Sequence, residues 1–144
     1  MMNTERPTSV ISSDDIIEDH AIKMGVTYSE AFKQVDFKDI EREMWARFYD
    51  ARDRRDDIIV DRTNMRPKSR ARFLSETKNY GYHSIAVVFE VPRDELDKRL
   101  AAREAATGKA IPKHVVDGMI ETYQAPTTEE VNEIVRIVYD PVTT

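Results

Sequence analysis

Two acidic positions follow apolar stretches of the sequence, where a carboxylate can take part in chemistry. Thr8-Ser-Val-Ile-Ser-Ser13 predicts a short strand that leads into Asp14 and Asp15, and Asp57-Ile-Ile-Val60 predicts a second strand that ends at Asp61. Ligands of open parallel α/β sheets bind in the crevice at the carboxyl ends of the strands. If the two strands are neighbours, one carboxylate can accept a proton from an attacking hydroxyl group and the other can help to hold magnesium. The pattern leaves a second interpretation open, in which each aspartate caps the helix or turn after its strand.

A pair of arginines lies four residues apart in Arg99-Leu-Ala-Ala-Arg103. Residues at this spacing share one face of a helix, so the two guanidinium groups point the same way. Such a pair can hold phosphate oxygens through paired hydrogen bonds and can offset charge while a phosphoryl group moves. The alternative is a solvated helix face on which the arginines pair with acidic neighbours such as Glu95.

Alternating strands and helices must position these side chains. The predicted strands are 8–15, 57–61, 84–91 and 134–139. The predicted helices are 16–24, 27–55, 67–80, 92–107, one from Pro112 and a short acidic one from Thr127. Because the strands are almost continuously apolar and alternate with helices, the sequence predicts an α/β fold with a mostly parallel sheet. No repeat or long linker divides the chain, which indicates a single domain over residues 1–144.

The long helix predicted over 27–55 carries an apolar stripe at spacings of three and four residues. Its members are Phe37, Ile40, Met44 and Phe48, and it is widened by Trp45 and Tyr49. This spacing is that of one buried face of an amphipathic helix. Core packing is therefore the favoured interpretation, and the alternative is that the aromatic side chains hold a base.

The composition excludes several classes of function. The 144 residues suit one domain, and 27 acidic against 22 basic residues give a net charge of −5, which is not typical of a protein that coats nucleic acid. Without cysteine, and with three widely separated histidines, the chain has no pattern for a disulfide or a metal site. No apolar run approaches the roughly 18 residues of a membrane span, and residues 1–7 lack the apolar core of a signal peptide. We therefore expect a cytoplasmic protein that does not bind a membrane.

Several motifs follow one another in a recognisable order. Asp14-Asp15 comes after the first strand, Ile59-Val-Asp-Arg-Thr-Asn64 after the second, and Val88-Phe-Glu-Val-Pro92 leads into the helix with the two arginines. Gly108-Lys-Ala-Ile-Pro112 and Ala125-Pro-Thr-Thr-Glu-Glu130 come next. In this order and spacing, nearly the whole chain resembles the P-loop kinase domain of phage polynucleotide kinases and their relatives, which are AAA ATPase-type kinases. The resemblance implies a three-layer fold, with a parallel sheet flanked by helices and a helical lid.

The resemblance also implies roles for individual residues. Asp14 is the implied general base for the acceptor hydroxyl, and Asp61 is implied to lie beside the metal or the acceptor. Arg99 and Arg103 are implied to belong to the lid, residues 93–113, and to bind the phosphates of ATP. The implied acceptor-binding residues are Asp15, Arg62, Thr63 and Asn64. ATP and Mg²⁺ are the implied cofactors, and no residue is assigned as a direct metal ligand.

The sequence departs from this family pattern in two places. It has four glycines and no Gly-x-x-x-x-Gly-Lys-Ser/Thr loop, and Gly108-Lys109 is followed by alanine. We therefore expect the first strand and the P-loop of the fold to be missing, and we do not expect this chain alone to bind ATP. The second departure is Ile16-Ile17 after the paired acids, where polynucleotide kinases tend to place an arginine. It leaves both a polynucleotide and a nucleoside-like acceptor open.

The expected loss of a central strand has consequences for partners and function. The strands at 57–61 and 84–91 would lose a shared neighbour, so either they pair directly or another element or a second copy of the chain fills the gap. A longer gene product or a separate N-terminal fragment would supply the P-loop. The sequence thus predicts the acceptor-binding and lid portion of an ATP-dependent kinase, inactive alone. The alternatives are a degenerate pseudokinase that binds a phosphorylated ligand or partner, and a structural remnant without activity. The acceptor, the oligomeric state and the host pathway are not specified.

Overall fold

The computed structural model describes residues 6–141, in which short strands alternate with helices. In chain order the elements are β1 (Thr8–Ile11), α1 (Ser13–Met24), α2 (Tyr28–Gln34), α3 (Phe37–Asp53), β2 (Asp57–Val60), α4 (Pro67–Thr77), β3 (Ile85–Glu90), α5 (Arg93–Thr107), α6 (Lys113–Thr122) and β4 (Glu133–Val138). A 3₁₀ turn, Lys78–Tyr80, follows α4. The chain divides into two compact units between Thr63 and Asn64. One domain over residues 1–144 remains a prediction.

No helix within residues 6–141 combines the length and the apolar character needed to cross a membrane. Most of the N-terminal segment on which the signal-peptide argument rests lies outside the described residues.

The first unit is built on a parallel pair of strands. β1 pairs with β2 in a register that runs from Thr8 opposite Asp57 to Ile11 opposite Val60. Immediately beyond this register, the backbone N–H of Asp61 donates to the carbonyl oxygen of Ile11 at 2.9 Å. The helices α1, α2 and α3 form the long connection that two parallel strands require. The two strands are therefore neighbours, and their carboxyl ends lie at one edge.

The core of the first unit lies between the helices and the strand pair. Its buried apolar residues are Ile11, Ile16, Ile17, Ala21, Ala31, Ile40, Met44, Phe48 and Ala51. The stripe of Ile40, Met44 and Phe48 is at most 3% exposed, so its predicted core role is confirmed. Complete burial of a side chain of this size contributes about 1.5–3 kcal/mol, which makes this face of α3 a main source of stability for the unit.

The continuous helix predicted over 27–55 is wrong. α2 ends at Gln34, and α3 begins at Phe37 with Asp36 as its N-cap, whose side chain accepts a hydrogen bond from the backbone N–H of Lys38 at 2.9 Å. An aspartate competes for free backbone N–H groups and so favours the start of a new helix over the interior of an existing one. Phe37 consequently lies at the first position of α3, where it is 51% exposed and not part of the buried stripe.

The second unit holds a separate parallel strand pair. β3 pairs with β4 in a register that runs from Ile85 opposite Glu133 to Glu90 opposite Val138. The predicted helix starts and ends are confirmed at Pro67, which opens α4, and at Gly108, which closes α5 with a φ of 72°. The short helix predicted from Thr127 is wrong, because the residues after it form a hydrogen-bonded turn. Only five residues lie between Thr127 and the start of β4 at Glu133, which is too short a stretch for a stable helix.

The predicted fold class is confirmed. Residues 6–141 form a mixed α/β structure with six helices and short parallel strands, consistent with a P-loop kinase-like fold. β2 has β1 as its partner and β3 has β4. That this chain lacks the first strand of the family fold remains a prediction.

Candidate functional site

The paired acids lie in the first turn of α1. Ser12 is the N-cap of this helix, and its hydroxyl oxygen accepts a hydrogen bond from the backbone N–H of Asp15 at 3.4 Å. Asp14 and Asp15 therefore neither end β1 nor cap α1, and both the strand predicted to residue 15 and the capping interpretation are wrong for them. Both side chains are exposed, and a negative charge in the first turn of a helix interacts favourably with the helix dipole.

Asp14 has a defined hydrogen-bond partner. The hydroxyl group of Tyr28, the first residue of α2, donates to Oδ1 of Asp14 at 2.8 Å. Asp14 is exposed, while Tyr28 is half-buried. A hydrogen bond to an ionised carboxylate is among the stronger ones in proteins, so it restrains the orientation of this side chain.

Asp61 follows β2 at the same edge as the start of α1. Its backbone N–H donates a hydrogen bond to the carbonyl oxygen of Ile11, the residue immediately before the N-cap Ser12. The structure thus places Asp14, Asp15 and Asp61 just after the ends of adjacent parallel strands, as the sequence predicted for neighbouring strands. This is the position at which α/β sheets bind ligands.

Arg62 and Thr63 continue the loop after β2. The guanidinium group of Arg62 donates to both carboxylate oxygens of Glu41 in α3, at 3.2 Å and 3.0 Å. Such a two-point contact holds the loop against α3. Arg62, predicted to bind the acceptor, therefore has a structural partner within its own unit, while Thr63 is exposed.

In the second unit, Asn64 is held by a buried arginine that the sequence did not single out. Arg70, whose side chain is 8% exposed, donates from Nε and Nη2 to the two carboxylate oxygens of Glu130 at 2.9 Å and 3.1 Å. Its Nη1 donates to the backbone oxygens of Asn64 and Gln124 at 2.8 Å and 2.9 Å. The hydrogen bond from Arg70 holds the pKa of Glu130 below its usual value. Asn64 itself has a φ of 45°, in the left-handed region that a non-glycine residue seldom occupies.

The predicted lid residues lie on α5, which has no buried residue. Nε of Arg99 donates to Glu95 at 3.2 Å, and its guanidinium group lies 5.5 Å from the ring centre of Tyr139. Arg103 is exposed on the same helix. The acidic neighbour expected in the solvated-face interpretation is therefore present for Arg99. An ion pair this exposed is weak, so it does not prevent Arg99 from turning to a phosphate.

An ion pair joins the two helices of the predicted lid. Nη2 of Arg93 at the start of α5 donates to Asp117 of α6 at 2.6 Å, and Lys113 donates to the other carboxylate oxygen at 3.1 Å. These hydrogen bonds, that from Arg93 first, hold the pKa of Asp117 below its usual value. The arrangement links α5 and α6 across the turn that Gly108 begins.

The described residues do not fit MgATP by themselves. Three of the four glycines close a helix or 3₁₀ turn with a positive φ, and Gly118 lies within α6. None of them lies in a loop between a strand and the helix that follows it, which is where a P-loop requires glycine. Within residues 6–141 no group of three or more acidic, histidine or cysteine side chains is arranged to hold a metal ion.

Comparison with known families gives one match. A family model described as an AAA domain matches residues 2–126, which is most of the chain. No curated protein matches the sequence. The family is one of P-loop NTPase-like kinases, whose members generally use ATP and Mg²⁺, and a nucleotide-binding kinase-like domain is the function it indicates. The order of strands, acids and arginines found in the sequence agrees with this match. The chain belongs to the AAA domain family of P-loop NTPase-like kinases.

Proposed function

We propose that this chain is the acceptor-binding and lid portion of an ATP-dependent kinase. Its acceptor is a hydroxyl group of a polynucleotide or of a nucleoside-like molecule, and a P-loop segment absent from this sequence completes the site. The observation that carries the proposal is the placement of Asp14. Asp14 is an exposed carboxylate in the first turn of α1, and the hydroxyl group of Tyr28 donates a hydrogen bond to it at 2.8 Å. It follows β1, whose last residue, Ile11, accepts a hydrogen bond from the backbone N–H of Asp61.

The chain's own residues supply two parts of the reaction. Asp14 accepts the proton of the acceptor hydroxyl group. The acceptor oxygen forms a bond to the γ-phosphorus of ATP, and the bond from that phosphorus to the leaving ADP breaks. Arg99 and Arg103, exposed on α5, bind phosphate oxygens and offset the negative charge that develops on them. Asp61 and Thr63 line the acceptor side of the same strand edge as Asp14.

The proposal is tested in two steps. Calorimetric titration of the purified chain with Mg²⁺ and ATP should give no detectable binding, since no glycine-rich loop precedes a helix within the described residues. Fusion of a strand, P-loop and helix from another family member to the N-terminus should restore micromolar binding. It should also restore transfer of the labelled γ-phosphate to an oligonucleotide with a free 5′-hydroxyl group.

The control is the same fusion with the P-loop lysine replaced by methionine. Micromolar binding by the unfused chain would contradict the need for an added P-loop. A fusion that binds ATP and transfers nothing to any hydroxyl acceptor would contradict the kinase proposal and favour a pseudokinase.

Loss of a lid arginine has a smaller expected effect. In the completed kinase, Arg103→Ala should raise the KM for ATP or lower kcat by about tenfold, because a charge-assisted hydrogen bond to phosphate is lost. Lys98→Ala on the same exposed helix removes one positive charge outside the pair and serves as the control. Equal kinetics for the two variants would assign Arg103 to the solvated face of α5.

A further inference from the structure

Three aromatic rings form a connected row on α2 and at the start of α3. The ring centres of Tyr28 and Phe32 are 6.0 Å apart, and those of Phe32 and Phe37 are 5.0 Å apart with the ring planes at 69°. Phe32 is 45% exposed and Phe37 is 51% exposed. Clustered aromatic rings that leave about half of their surface in water commonly mark a binding site. We refer to Tyr28, Phe32 and Phe37 as the aromatic row.

One end of the aromatic row lies at the candidate general base. The hydroxyl of Tyr28 donates to Oδ1 of Asp14 at 2.8 Å, so its ring extends away from the carboxylate towards Phe32. An acceptor whose hydroxyl group reaches Asp14 can therefore place the rest of the molecule along these rings. A nucleoside consists of a sugar hydroxyl joined to a flat base, which matches a carboxylate followed by exposed ring faces.

The charges around the row favour an uncharged group over a phosphate. Acidic side chains outnumber basic ones in the sequence around the row, with Asp14, Glu30 and Asp36 against Lys33 and Lys38. Ile16 and Ile17, which follow the paired acids, are buried in the core and offer no positive charge. Such a surface does not present a cluster of positive charge for a phosphate group, whereas a base has a π-face that stacks on an aromatic ring whatever the base is.

We propose that the aromatic row stacks the nucleobase attached to the acceptor hydroxyl, and so selects nucleoside ends of any sequence as acceptors. This inference rests on the proposed function, because it takes Asp14 as the general base. It assigns recognition to the base and not to an acceptor phosphate. The base can belong to a free nucleoside or to the 5′-terminal nucleotide of a polynucleotide.

The test measures acceptor binding by the chain as it exists, without ATP. Calorimetric titrations use adenosine in one arm and a dinucleotide with a free 5′-hydroxyl group in the other. If adenosine and the dinucleotide both bind saturably at similar affinity, the base alone is recognised. If the dinucleotide binds more tightly, the recognised group is the base at the 5′ end of a polynucleotide. Phe32→Leu and Phe37→Leu should each weaken binding by about tenfold or more, because leucine keeps the apolar surface and removes the stacking face.

Matched variants separate stacking from other effects. Phe37→Tyr keeps the ring and should bind as the wild type does, and Phe89→Ala removes a phenylalanine of β3 that is 69% exposed and should change nothing. Absence of binding in both arms, or unchanged affinity in both leucine variants, would overturn the proposal. Self-association of the wild type that Phe37→Leu abolishes would also overturn it, by assigning the row to a second copy. Phosphoryl transfer by the P-loop fusion is measured independently. If the fusion is active and the two leucine variants bind the acceptor as tightly as the wild type does, the aromatic row is rejected and the kinase proposal stands.

Discussion

Replacing Asp14 with asparagine should lower the turnover number of the P-loop-completed kinase by about 100-fold or more, with the affinity for ATP unchanged. The expected loss is that of a general base, which contributes roughly 10²- to 10⁴-fold. Tyr28 donates to Asp14 at 2.8 Å, and asparagine retains an oxygen that can accept this hydrogen bond. The side chain therefore keeps its position but loses its ability to take up a proton. The measurement is kcat for transfer of labelled phosphate, together with calorimetric ATP binding.

The asparagine variant also removes a charge from the first turn of a helix, which costs about 0.3–1 kcal/mol of stability without any catalytic role. Glu30→Gln is the matched control, because Glu30 lies in the first turn of α2 and is exposed. It makes the same kind of charge change outside the acceptor residues and should leave kcat unaltered. If Asp14→Asn and Glu30→Gln have the same kcat, Asp14 is not the base.

The order of elements could be predicted because the signals for it are local. Proline at the start of α4 and glycine after α5 act on their own stretch of backbone, and both predictions are confirmed. The apolar runs placed β2 and the start of β1, but β1 ends at Ile11 and not at residue 15 as predicted. The pattern of apolar residues also identified the buried face of α3.

The division of the helical region into α2 and α3 could not be read from the same pattern. The apolar spacing shows no break before Phe37. The start of α3 depends instead on one side chain, that of Asp36, which accepts a hydrogen bond from the backbone N–H of Lys38. Apolar periodicity does not detect this capping interaction. The break leaves Phe37 exposed beside Phe32, and the proposed stacking of a base depends on this arrangement.

The partners of the arginines were not predictable for a different reason. Arg62 binds Glu41, 21 residues earlier, and Arg70 binds Glu130, 60 residues later. A sequence of one chain gives no indication of which acid a distant arginine will meet, and helical spacing reveals only neighbours such as Glu95 and Arg99. Long-range packing decides these contacts.

Replacing Arg70 with alanine should reduce the free energy of unfolding by about 3 kcal/mol, the largest expected effect on stability. Removal of one partner of a buried ion pair leaves the other charge uncompensated. Here it would also leave the backbone oxygens of Asn64 and Gln124 without the donor that joins them. Urea unfolding followed by circular dichroism measures the change. Lys68→Ala, an exposed position on the same helix, should stay within about 0.5 kcal/mol of the wild type.

Acid should remove the same stabilisation from the wild type. Since the hydrogen bond from Arg70 keeps the pKa of Glu130 below its usual value in the folded protein, the pair stabilises the fold at a pH above the unfolded pKa. That contribution is lost as the pH falls through the folded pKa, where the carboxylate takes up a proton. Glu130→Gln has no proton to bind, so the stability difference between it and the wild type should shrink as the pH falls from above the ordinary glutamate pKa through the lower pKa of folded Glu130.

A constant difference between the wild type and Glu130→Gln over this range would show that the ion pair is not the source of the stabilisation. A combined experiment distinguishes charge from shape. Arg70→Lys keeps the positive charge but cannot bond to both oxygens of Glu130 and to two carbonyl groups at once. If the lysine variant is as stable as the wild type, a single charge is sufficient. A loss close to that of Arg70→Ala would show that the stabilisation requires the planar guanidinium group and its four hydrogen bonds.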